Sequence, residues 1–70
     1  MMPLCLASEG EEAVVRKVGG GPELKKHLED LGIVVGSSVT VIRTLGENVI
    51  VGVKGSRLAL AADLARKIMV

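Results

Sequence analysis

For metal binding or nucleophilic chemistry this 70-residue chain offers one histidine, His27, one cysteine, Cys5, and eight scattered carboxylates. His27 stands four residues after Glu23 and three before Asp30, spacings that share a helix face, so the three could form a loose surface metal site. A closed site needs three or four ligands held together, and the remaining carboxylates are scattered. His27 therefore reads as a solvated helix residue, and no metal or other cofactor is expected. Cys5 alternates with Leu4 and Leu6, and no basic neighbour is evident to favour its thiolate, so it reads as an ordinary strand thiol.

Glycine-rich turns before helices can cradle phosphate, and GGGP at Gly19 to Pro22 has that outline. It lacks the Gly-Lys-Ser/Thr ending of a nucleotide loop, and Glu23 places an acid where phosphate would sit. No nucleophile, base and orienting acid stand at plausible positions, so the chain does not read as an enzyme.

Composition excludes further classes. Nine Lys and Arg balance eight Asp and Glu, and there is no aromatic residue. A nucleic-acid binder of this size would show a basic field and, for single strands, rings on which bases stack. An SH3-type groove for proline-rich peptides also needs aromatic walls. The lone cysteine fits a reducing cytoplasm better than a disulfide-stapled secreted domain. The start MMPLCLASEGEE lacks a basic region and a long apolar stretch, and no apolar run nears the roughly 18 residues of a membrane span, so a soluble cytoplasmic protein is expected.

Residues 1–70 read as a single domain whose core must be assembled from aliphatic side chains. Pro3 to Ala7 reads as an edge strand and Ser8 to Glu12 as a loop. Ala13 to Val18 reads as one strand; Val15 and Val18 are an odd number apart, so both face a core only if it bulges or bends. Pro22 opens a helix at a position that suits its fixed φ, and Leu24, Leu28 and Leu31 form one apolar stripe. Gly32 supplies the left-handed residue that ends it. Three strands follow, Val39 to Thr44, Val49 to Val53 and Arg57 to Leu60, joined by turns at Gly46 to Asn48 and Gly55-Ser56. The terminal AADLARKIMV reads as a helical turn and a short closing strand. Five or six short antiparallel strands with this many inward valines have too much edge to lie open, so the fold class is a small, mainly β barrel with one amphipathic helix over one end.

The stretches LEDLGIVVGSSVTV, NVIVGVKGSRLAL and ARKIMV, in that order, resemble the FeoA family, small cytosolic proteins of bacterial ferrous iron transport. The positions that carry the resemblance are Leu31, Gly32 and Ile33, then Gly36, Val39 and Val41, then Leu58, Ala59 and Leu60, and finally Ala65, Ile68 and Val70. It implies an SH3-like barrel that serves as an accessory to FeoB, a membrane ferrous-iron transporter with a cytosolic G-protein domain. A similar barrel forms the C-terminal domain of metal-dependent repressors of the diphtheria-toxin type, which implies a metal-responsive regulatory module as an alternative. His27, Val35 and Ala61 stand where the family commonly has arginine, proline and arginine, so no charged binding site carries over.

What is left for function is a protein-contact surface. Lys25, Lys26 and His27 on the helix, Val34 and Val35 after it, and Leu64 near the C-terminus could supply mixed charge and apolar area. The same residues could equally be a solvated helix face and ordinary core.

Overall fold

The computed structural model describes residues 1–70. Its largest unit is an antiparallel sheet built on the valine-rich segment: β3 (Ser38–Leu45), β4 (Asn48–Val53) and β5 (Ser56–Leu60) follow one another, and β1 (Glu12–Val14) pairs on the far side of β3. Val39, Val41, Val49, Val51 and Val53 all point into the core, as period-two alternation requires. The turn from β4 to β5 is held by Lys54 (φ 50°) and Gly55 (φ 81°). Positive φ at both central residues is the type I′ geometry whose twist matches the flanking strands.

A second, smaller sheet pairs β2 (Lys17–Val18) with β6 (Ile68–Met69). The chain's start extends it: the Met2 amide donates to the Val70 carbonyl at 2.9 Å, and the Val70 amide donates back to Met2 at 2.8 Å. Together the two sheets wrap one core of fourteen buried residues, none of them polar or aromatic.

The segment expected as one strand, Ala13 to Val18, is two. β1 pairs with β3, while β2 pairs with β6, so the chain changes sheets at Val15 and Arg16. The Val15 amide donates to the Ser37 carbonyl at 2.9 Å, its carbonyl accepts the Gly36 amide at 2.8 Å, and the next amide, Arg16, already donates to Met69 at 2.8 Å. This corner is the bend that the odd spacing demanded. It lets both Val15 and Val18 enter the core, at 1% and 8% exposure.

Pro3 to Ala7 is not an edge strand. Leu4–Leu6 forms a 3-10 turn, with the Leu6 and Ala7 amides donating to the carbonyls of Pro3 and Leu4 at 3.0 Å each. In a strand Leu4 and Leu6 would share a face. The turn instead buries Leu4 and Ala7, three apart, and leaves Leu6 68% exposed.

The helix α1 spans Pro22–Asp30 with proline at its first turn. Its end is a complete Schellman motif: Gly32 (φ 92°) donates to the Glu29 carbonyl at 2.9 Å, and Ile33 donates to Leu28 at 2.8 Å. The hydrophobic pair that accompanies this motif is Leu28 and Ile33, both buried. Leu24 and Leu31 pack half-buried on either side, so the leucine stripe fastens α1 to the core.

Candidate functional site

The residues singled out for chemistry stay apart. No group of three His, Cys, Asp or Glu side chains is close enough to hold a metal ion. Cys5 sits on the 3-10 turn, half-buried against the core, not in a strand. In the GGGP segment the Gly19 amide donates to the Lys67 carbonyl at 2.7 Å, so it is committed to the fold and not turned toward an anion.

Lys25, Lys26 and His27 are all exposed on α1, but three consecutive helical residues fan through about 200° of the helix surface. Lys26 lies opposite the leucine stripe, with Lys25 and His27 flanking it on opposite sides, so the three make no single stripe of charge. Val34 and Val35 are exposed in the turn after α1, Val35 at 61%. The Ser37 hydroxyl fixes that turn, donating to the Val34 carbonyl at 2.7 Å and accepting the Val34 amide at 3.2 Å. Leu64, in the short helix α2 (Ala62–Ala65), packs half-buried against the core instead of standing free.

A concave surface lies elsewhere. An open groove of about 330 Å³ runs over the outer face of the large sheet, lined mainly by Leu45, Ile50, Ala59 and Ala61. Register puts Ile50 between Arg43 on β3 and Ala59 on β5, with their side chains on the outer face. One rung along, Gly52 lies opposite Arg57, and the side chain of Ile42, at the bulge where β3 slips register, folds over Gly52. The outer face thus has an aliphatic centre, Ile42, Leu45, Ile50 and Ala59, with Arg43 and Arg57 beside it.

In the sequence this surface is masked, because the inward valines dominate the alternation. Its signal was present all the same: Ile42 and Ile50 occupy alternate positions that a half-solvated strand would fill with polar residues. Only strand order could show that they are neighbours across the sheet.

Two acids near this face, Glu9 and Glu47, are already engaged. The Glu9 carboxylate accepts the Thr44 amide at 2.8 Å, and with the Gly10 amide on the Val41 carbonyl at 2.7 Å it completes the β3 edge beyond β1. Glu47, in the β3–β4 turn, takes the Arg66 guanidinium at 2.7 Å from Nε. That hydrogen bond and its charge raise the Arg66 pKa above the usual arginine value.

A FeoA domain model matches residues 2–70 of this sequence. The chain belongs to the FeoA family. FeoA relatives include a protein of Methanocaldococcus jannaschii, provisionally assigned as Fe(2+) transport protein A, which is 44% identical over all 70 residues of this chain and 85% of its own length. The crystal structure of an iron uptake regulatory protein (FeoA) superposes with a TM-score of 0.86 at 27% identity, covering 96% of this chain and 89% of that one. The SH3-like description of the fold is shared with a further FeoA structure. ScaR with bound Zn2+ superposes at a TM-score of 0.83 over 97% of this chain but only 35% of its own, at 23% identity, which is a likeness of fold.

Proposed function

We propose that this FeoA-family chain is a non-enzymatic accessory protein of ferrous iron transport, acting in the cytoplasm by contact with the cytosolic part of a FeoB-type transporter. The observation that carries this reading is the family match over residues 2–70, together with a relative assigned to Fe(2+) transport at 44% identity. Contact in place of chemistry is supported by the character of the surface: its concave feature is aliphatic, and exposed Leu6, Val35 and Leu45 are side chains that gain by being covered. Residues 1–70 act as one domain in this reading, with no nucleic-acid partner and no insertion into the bilayer.

The contact surface inferred from sequence comprises Lys25, Lys26, His27, Val34, Val35 and Leu64. A calorimetric titration of the chain against the transporter's soluble G-protein domain tests both the partner and the surface. Saturable binding that weakens in Lys25→Glu/Lys26→Glu and changes its salt response supports steering by the helix. Binding unaltered by the double reversal moves the contact off α1, and absence of binding overturns the partner.

A further inference from the structure

The free edge of the large sheet and the outer groove meet at β5. Its pairs with β4 start at Val53 and Ser56, which flank the two-residue turn, and hydrogen-bonded pairs alternate from there along an antiparallel ladder. Ser56, Leu58 and Leu60 therefore direct their amides and carbonyls toward β4, while those of Arg57 and Ala59 point outward. Neither residue takes part in any backbone hydrogen bond outside the regular elements, and no strand lies beyond β5. Their side chains fall on the outer face, two residues apart, next to the groove.

We propose that β5 and the adjoining groove bind an extended peptide segment of another protein, which adds as a strand along β5 and carries an apolar residue flanked two positions away by an acid. Backbone pairing would come from Arg57 and Ala59, the usual source of affinity when a strand is added to a sheet edge. The small Ala59 side chain leaves room beside it, so an apolar residue of the added strand packs over Ala59 toward Ile50 and Ala61, on the near side of the groove. Two positions along, the added strand runs past Arg57.

Charge selects the occupant. Arg43 and Arg57 form no ion pair; both salt bridges in the chain belong to Arg66. Glu9 and Glu47 are held by the Thr44 amide and by Arg66, and Glu12, which shares the outer face, lies across the whole sheet from Arg57 on β1. A second copy joined edge to edge would bring its own Arg57 to the seam, and like charges across a strand pair are destabilising. An acidic partner strand is attracted instead.

This inference does not require the partner to be a transporter, so it is tested without one. The probe is the blocked heptapeptide Thr-Asp-Thr-Leu-Thr-Asp-Thr, whose symmetric spacing satisfies the site in either strand direction. Titration into isotope-labelled protein, followed by amide NMR shifts, should perturb Arg57 and Ala59 saturably and protect their amides from exchange. Replacing both aspartates by lysine in the probe should abolish the effect, and Arg57→Glu in the protein should weaken binding about ten-fold. Ala59→Pro removes the edge donor, and Ile50→Lys, which keeps the edge and charges the groove floor, should each prevent saturation, with thermal melts confirming that they fold. The proposal is overturned if the aspartate peptide leaves both amides unmoved at millimolar concentration, if the lysine peptide binds equally well, or if the free protein is a dimer whose β5 amides are already protected. Failure here leaves the transporter titration untouched, and the reverse also holds.

Discussion

The side-chain carbonyl of Asn48 accepts the backbone amide of Ala62 at 2.9 Å, so the cap of the C-terminal helix α2 comes from a strand fourteen residues earlier. Ala61, the local cap position, has no side chain able to do this. Beside it, Arg66 at the other end of α2 reaches back to Glu47. Two consecutive residues of the β3–β4 turn region thus hold both ends of α2, and with it the Ala61 wall of the groove. Asn48→Ala should cost about 1 kcal/mol, as loss of a helix cap does, while Asn48→Asp keeps the acceptor and most of the stability. Urea midpoints with an unchanged m-value would register this.

Gly32 is placed where a side chain meets two penalties. Its φ of 92° disfavours any Cβ, and a Cβ there would lie 3.2 Å from Val53 Cγ1. Gly32→Val should destabilise by roughly 1–2 kcal/mol from backbone strain, with the Val53 contact adding to it. Gly36 has a similar φ of 94°, but a Cβ there would meet nothing within 4 Å. Gly36→Val should therefore show the strain alone, and equal losses at the two sites in chemical denaturation would rule out the Val53 contact as a contributor.

Leu28 is fully buried, and it is also the residue whose carbonyl closes the Schellman motif with Ile33. Leu28→Ala should cost about 2–5 kcal/mol through the cavity it leaves in an all-aliphatic core. Lys25→Glu/Lys26→Glu, on the exposed side of the same helix, should stay within about 0.5 kcal/mol of the parent. Thermal melts of the two variants side by side separate the role of α1 in the fold from any role of its surface.

Fe(II) or Zn(II) added to the purified chain should bind weakly and without one-to-one stoichiometry, since no three ligand side chains converge. Calorimetry is the check. Submicromolar binding at a single site, lost in His27→Ala, would require a ligand set that this fold does not assemble.

Elements whose signals are local are legible in the sequence. Proline at the start of α1, the leucine stripe and Gly32 define a helix and its end because capping and periodicity involve residues within one or two turns. The alternating valines of β3 and β4 likewise marked the inward face. Even the Val15–Val18 spacing announced a bend, although it could not say that the bend carries the chain from one sheet to the other.

Whatever depends on partners distant in the chain is set by the packing of the whole fold. Leu4 and Cys5 have the pattern of a strand, yet the backbone there turns, because the core has room for Leu4 and Ala7 while Met2 and Pro3 already pair with the C-terminus. The cap on α2 comes from Asn48, fourteen residues away, and Glu9 serves an amide thirty-five residues away. The outer face of Leu45, Ile50 and Ala59, with Arg57 at its free edge, arises only when β3, β4 and β5 fall into register. A period of two says which side of a strand a residue occupies; which residues it stands beside, and whether another strand covers the edge, are set by pairing across the sheet.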